Sequence, residues 1–330
     1  MLTEAFRGEF YQKVDSKARV SIPAAFRRIL EAEDPQAIEG ARHRVYMVYG
    51  GKSRTFVECY SRAGADALAL HGMTGWLRVP LPPRTAAEQM ARALRQLLQM
   101  RSGLRHSEAI DPPYESDEVR MLFLDGRDDM AGWAEAQPLE HEPGQKFEYS
   151  TPGATLLADV VARVLAPDGS SAERRLAVDA FLHDRLAGPL GMNSLVAEYD
   201  RSGTMIGGAM MWANARDWAK FGEFLRHGGA VKGAQIVPRA WVDFMKSASP
   251  RARDYGAMLW LNRASRTDRT MLFPDDGPST LFAAVGHGGQ YVLVSPSQQL
   301  VVARLGNTTD EQRDALESKL SDLVQLYPAD

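Results

Sequence analysis

The sequence predicts an α+β chain: a small β unit at the front, then a larger body of helices with an antiparallel sheet. Three observations predict this. Short strand-like runs with polar turns cluster before Arg62. Helical spacing dominates Thr85 to Gln99. Two apolar runs near the end, Tyr291 to Ser295 and Leu300 to Leu305, precede a helical segment from Asp310 to Leu326. At 330 residues, with 45% apolar and 25% charged side chains, the chain has room for two ordinary globular domains.

Taken in order, Glu9 to Val14 and Arg19 to Ile22 read as strands, with Asp15-Ser16-Lys17-Ala18 as a polar turn between them. Pro23 suits a first helical turn, and Ala24 to Ala32 reads as the helix it opens. Arg44 to Tyr49 and Arg54 to Tyr60 are two further strands, joined at Gly50-Gly51-Lys52. Residues 63–96 form a junction, in which Gly72 to Gly75 and Pro80-Leu81-Pro82-Pro83 read as linker. Thr85 is a candidate N-cap with Glu88 three residues on, and Met90, Ala93, Leu94, Leu97 and Leu98 lie at helical spacing.

Net charge is −3, which argues against a wholly basic polyanion binder, yet the charge is uneven. Up to Arg62 there are 11 Lys and Arg against 8 Asp and Glu, and the remainder carries 28 against 34. A basic front on an acidic body is compatible with nucleic-acid binding, and equally with chance. The single Cys59 excludes an internal disulfide and a cysteine-cluster metal site; its apolar neighbours suggest a packed strand residue. No metal or cofactor is expected. The front has no basic-then-apolar leader and no window resembles a membrane span, so the expectation is a cytoplasmic protein with no membrane partner.

Asp15-x-x-x-Arg19, followed by Ser21-Ile22-Pro23 and Phe26-Arg27, resembles the hallmark of MraZ-type transcription factors over residues 5–62. The resemblance implies a swapped-hairpin AbrB-like unit with Lys13, Asp15, Lys17, Arg19, Arg27 and Arg28 on a DNA-facing surface. Lys and Arg suit that role by neutralising phosphates, and Arg also by reading guanine edges. Asp15 and Arg19 could instead form an ion pair that only braces the turn. Ala18 stands where the family usually has glycine. The family carries two such units, and no second Asp-x-x-x-Arg with a following proline occurs after residue 62. A lone unit of about 60 residues is marginal, so self-association through it is expected.

Leu97-Leu98-Gln99-Met100-Arg101-Ser102-Gly103-Leu104 resembles the segment after the nucleophile helix in class C-like serine hydrolases of the β-lactamase and penicillin-binding-protein superfamily. Several further segments extend the resemblance to residues 97–328. Pro143 to Thr151 resembles the stretch carrying a Tyr-Ser-x motif. A helix from Thr155 to Leu165, Leu186 to Met192 with Ser194-Leu195, the helix-like Met210 to Phe224, the strand-like Asp254 to Leu261, and Gly286-His287-Gly288-Gly289-Gln290 follow in family order. The resemblance implies that Tyr149 relays a proton and that His287 and Gly289 lie on a strand edging the pocket, with a backbone N–H for an oxyanion. Taken alone, Tyr149-Ser150-Thr151 could be only a capped helix entry, and Gly286 to Gly289 only a turn.

The nucleophile motif of that family, Ser-x-x-Lys, is missing: no lysine has a serine three residues before it. A serine hydroxyl needs an adjacent base, which lysine on the next turn of the same helix face supplies. The segment that should hold the early strands and this helix is occupied by the MraZ-like stretch. The sheet is therefore expected to lack a paired neighbour and to expose an edge. The resulting division is residues 1–62, a DNA-binding unit; 63–96, a junction; and 97–330, a truncated hydrolase-like module. The first functional reading is a fusion whose hydrolase-like part is catalytically inactive and retains a pocket for a small acyl or amide ligand. Two others fit the sequence: an active hydrolase using Ser102 with His106 nearby, and a fusion artefact that folds poorly.

Overall fold

The computed structural model describes residues 46–48, 58–60, 86–108, 110–267 and 269–329. The chain divides into two compact units, Met1–Ala93 and Leu94–Asp330. In the first, β1 (Tyr46–Val48) and β2 (Glu58–Tyr60) pair antiparallel, with Tyr46 opposite Tyr60 and Met47 opposite Cys59. The predicted Asp15–Arg19 turn, its flanking strands, the Ala24 to Ala32 helix and the Gly50 to Lys52 turn lie outside the described residues. So do Lys13, Lys17, Arg27 and Arg28.

Helix α1 (Ala86–Leu98) follows the predicted spacing, with Ala93 and Leu97 buried one turn apart. It closes on two hydrogen bonds: Met100 N–H donates to the Leu97 carbonyl and Arg101 N–H to that of Gln96. This pattern places a left-handed residue just past the helix, usually glycine. Here it is Met100, at φ 56°. The side chain explains the choice, because Met100 is buried in the core beside Tyr255 and Trp260.

After α1 come α2 (Asp117–Phe123), α3 (Met130–Glu135), α4 (Thr151–Leu165) and α5 (Ser171–Leu182). Helix α4 begins four residues before the predicted Thr155, because Ser150 caps it by accepting a hydrogen bond from Gly153 N–H at 2.9 Å. The chain then runs through β3 (Val196–Ala197) and β4 (Met211–Trp212) to α6 (Ala215–Arg226). The predicted Met210 to Phe224 helix therefore starts late: Asn214 caps it by accepting from Asp217 N–H, and the residues before form a strand. A short ladder, β5 (Ala230–Val231) with β6 (Ala234–Gln235), leads to α7 (Arg239–Met245).

The main sheet contains β7 (Trp260–Leu261), β8 (Phe282–Gly286), β9 (Gln290–Ser295) and β10 (Leu300–Arg304), and the chain ends in α8 (Arg313–Gln325). Its order is β10-β9-β8-β7, every pair antiparallel. Alternation along β9 places Tyr291 and Leu293 in one core, with Leu320 and Val324 of α8. Val292 and Val294 enter a second core on the other face, with Phe224 of α6 and Val242 of α7. The predicted strand Asp254 to Leu261 is mostly turn, with Met258 at φ 61° and only its last two residues in the sheet. Among the described residues nothing pairs with the outer edge of β10, and all five of its residues are half-buried, whereas β9 is buried from Tyr291 onward.

Candidate functional site

Tyr149 lies just before the Ser150 cap of α4, so a helix start fixes its position. Its ring stacks on Trp260 with centroids 5.5 Å apart and meets Tyr255 edge-on at 6.0 Å. Phe147 packs on Tyr255 from the other side. The Arg269 guanidinium covers Phe147 at 4.6 Å and Trp260 at 5.6 Å, and is held by a two-point ion pair to the buried Asp254 at 2.7 Å. Burial, reinforced by the Glu108 and Glu118 carboxylates, pushes the Tyr149 hydroxyl up to about 12. At neutral pH the phenol therefore keeps its proton.

Ser102 is buried, and its Oγ accepts the Leu104 N–H at 3.3 Å, closing a local turn. His106 points elsewhere: Nδ1 faces the Leu104 carbonyl at 3.2 Å and Nε2 faces the Tyr149 carbonyl at 2.5 Å. A neutral imidazole has one N–H to give, so the tautomer decides which bond forms. With both nitrogens on carbonyls, neither is aimed at Ser102. Glu108 accepts from the Thr151 backbone N–H, the first free donor of α4. Burial lifts its carboxyl to about 7, against the lowering effect of that hydrogen bond.

His287, Gly288 and Gly289 form the turn joining β8 to β9, and His287 is exposed. Gly288 and Gly289 have φ of 67° and 78°, which a side chain would oppose. Arg304 Nη1 donates to the Gly289 carbonyl at 2.6 Å while Nη2 donates to Thr308 Oγ1 at 2.6 Å. Gln290 holds the same turn to Gly306, whose N–H donates to its Oε1 at 2.9 Å. Among the described contacts, none joins His287 or Gly289 to Tyr149. A cleft of about 580 Å³ is lined by Asp254, Arg269, Phe273, Asp276, Glu317 and Asp322 among others; Ser102, Tyr149, His287 and Gly289 do not line it.

Sequence reasoning missed Glu108, Trp260, Arg269 and Arg304. The spacing of Tyr255 and Trp260 is an available aromatic signal. Glu108 lies in an ordinary polar stretch, and only folding brings it to the start of α4.

The β-lactamase family model matches residues 78–326. The chain belongs to the beta-lactamase family. A solved structure described as a 6-aminohexanoate-dimer hydrolase from Bacillus anthracis shares the fold at TM-score 0.54 and 16% identity, covering 83% of this chain and 77% of that one. An uncharacterized Mycobacterium tuberculosis protein is 26% identical over 263 residues, 67% of this chain and 64% of its own length. Ahead of the β-lactamase-family module, the chain is 55% identical over 67 residues to the transcriptional regulator MraZ of Cereibacter sphaeroides, covering 20% of this chain and 39% of that protein. It is 51% identical over 65 residues to MraZ of Ruegeria pomeroyi. The chain thus spans about two fifths of the length of the MraZ proteins it matches. A MraZ-like front and a β-lactamase-family body share one polypeptide. No helix among the described residues is long and apolar enough to cross a membrane.

Proposed function

We propose that this fusion joins a DNA-binding unit, active as a homo-oligomer through residues 5–62, to a β-lactamase-family module that holds a small acyl or amide ligand without cleaving it. The observation that carries the catalytic half is the state of Ser102, the candidate alternative nucleophile. Ser102 is buried, its Oγ is engaged by Leu104 N–H, and the His106 imidazole faces two carbonyls. With no Ser-x-x-Lys in the sequence, no activated nucleophile accompanies the phenol of Tyr149. Tyr149, His287 and Gly289 then form a vestigial site. Tyr149 with its stacked aromatic neighbours offers an apolar wall and a hydroxyl donor, and the His287 turn offers a polar edge.

The test is intact-mass analysis of the full chain after incubation with a fluorophosphonate and with a penicillin. The expected result is no covalent adduct, since loss of a nucleophile typically costs about 10⁴–10⁶ in rate. Stoichiometric labelling at Ser102, abolished in Ser102→Ala, would overturn this reading in favour of an active hydrolase. The DNA-binding half rests on the MraZ match and on the basic residues Lys13, Lys17, Arg19, Arg27 and Arg28.

A further inference from the structure

Glu140, His141 and Glu148 each bring one ligand atom to a point where all three atoms lie within 4.8 Å of one another. We propose that these residues form a divalent-cation site of the zinc type on the β-lactamase-family module. The donor set is one imidazole nitrogen and two carboxylate oxygens. Calcium and magnesium favour all-oxygen sets, whereas a mixed nitrogen and oxygen set suits Zn²⁺ and Co²⁺.

The backbones that carry these donors are tied to one short segment. Glu140 N–H and His141 N–H both donate to the Gly103 carbonyl, at 2.9 and 3.1 Å, and Glu148 N–H donates to the Met100 carbonyl at 3.0 Å. Leu139 bridges to Leu104 beside them. Gly103, at φ 80°, allows this approach: a Cβ there would lie 2.1 Å from the His141 carbonyl oxygen. The donors are thus gathered before any ion arrives, which lowers the ordering cost of binding. Ligand bonds of about 2.0–2.2 Å separate tetrahedral donor atoms by about 3.4 Å, so small side-chain rotations complete the cage.

His141 and Glu148 are half-buried while Glu140 is exposed, leaving one side open for a water or an anion as fourth ligand. Lys146 Nζ pairs with Glu148 in the ion-free chain. Such a partly exposed pair is worth at most about 1 kcal/mol, a weak competitor for a metal ion.

Calorimetric titration of the full-length chain with ZnCl₂, paralleled by the visible spectrum of added Co²⁺, tests the site. The expected result is one saturable equivalent per chain, with cobalt absorption of low-coordinate form. Loss of an outer-shell partner typically costs about 10–100-fold in metal affinity, so His141→Ala and Glu148→Gln are expected to lose at least about tenfold. Lys146→Met releases Glu148 and is expected to change binding by no more than about fivefold. Circular dichroism checks that each variant folds. Absence of saturable binding would overturn the proposal, as would a folded His141→Ala chain that binds like the wild type, which would place the metal elsewhere. A folded Glu148→Gln chain that binds like the wild type would remove Glu148 from the ligand set and overturn the three-ligand site.

Discussion

A carboxylate at a helix N-terminus is ordinarily stabilised as the anion, and Glu108 accepts the Thr151 N–H at the start of α4. Burial nevertheless outweighs that bond and lifts the carboxyl to about 7. The folded value lies above the unfolded one, so between the two the folded chain binds more protons than the unfolded chain. Stability is therefore full at low pH, falls as pH rises from about 4.5 through about 7, and is level above. Glu108→Gln keeps an oxygen for Thr151 and removes the charge. The variant is expected to be more stable than wild type at pH 8 by about 1–3 kcal/mol and to match it near pH 4, measured by urea unfolding at both values. Equal stability at pH 8 would show that the carboxyl is well solvated. None of this is legible in the sequence, where Glu108 is one acid among many; its environment comes from Tyr149, His106 and Glu118, brought together only by folding.

At the scale of elements, local chemistry was mostly readable. The spacing of Ala93 and Leu97 located α1, and the Ser150 side chain explains where α4 starts. Ser150→Ala is expected to cost about 1 kcal/mol in denaturant unfolding, while Ser150→Asp retains the cap and most of the stability. No loss in the alanine variant would mean that packing alone holds the first turn. The β8–β9 turn depends on a longer-range brace, because Arg304 donates to Gly289 from the end of β10. Arg304→Met is expected to speed amide exchange across 286–290 and 306–308 while leaving α4 unchanged, read by hydrogen-exchange mass spectrometry. The Asp254 to Leu261 segment, strand-like in sequence, is mostly turn, with only Trp260 and Leu261 in the sheet. Its apolar residues are buried by packing in a turn, and burial without alternation looks the same in sequence for a turn and a buried strand.

For the molecule as a whole, the two halves bring different physics. If residues 5–62 bind duplex DNA, affinity of the full-length chain is expected to fall steeply with salt as phosphate contacts release counterions. Arg19→Ala is expected to weaken binding and to reduce the salt slope by about one contact. Gel-shift assays over a salt series check this, and salt-insensitive binding would count against a phosphate-contacting surface. The sequence by itself determined the two-part composition, the helices with clear spacing and caps, the β9 and β10 strands, and the lack of Ser-x-x-Lys, because each is a pattern of neighbours in the chain. Tertiary structure alone decided that Ser102 is turned inward, that Tyr149 is walled by Trp260 and Tyr255, that burial governs Glu108, and that Glu140, His141 and Glu148 converge. Those features depend on distances between residues far apart in sequence and on local exclusion of water, and neither is encoded in the spacing of residue types.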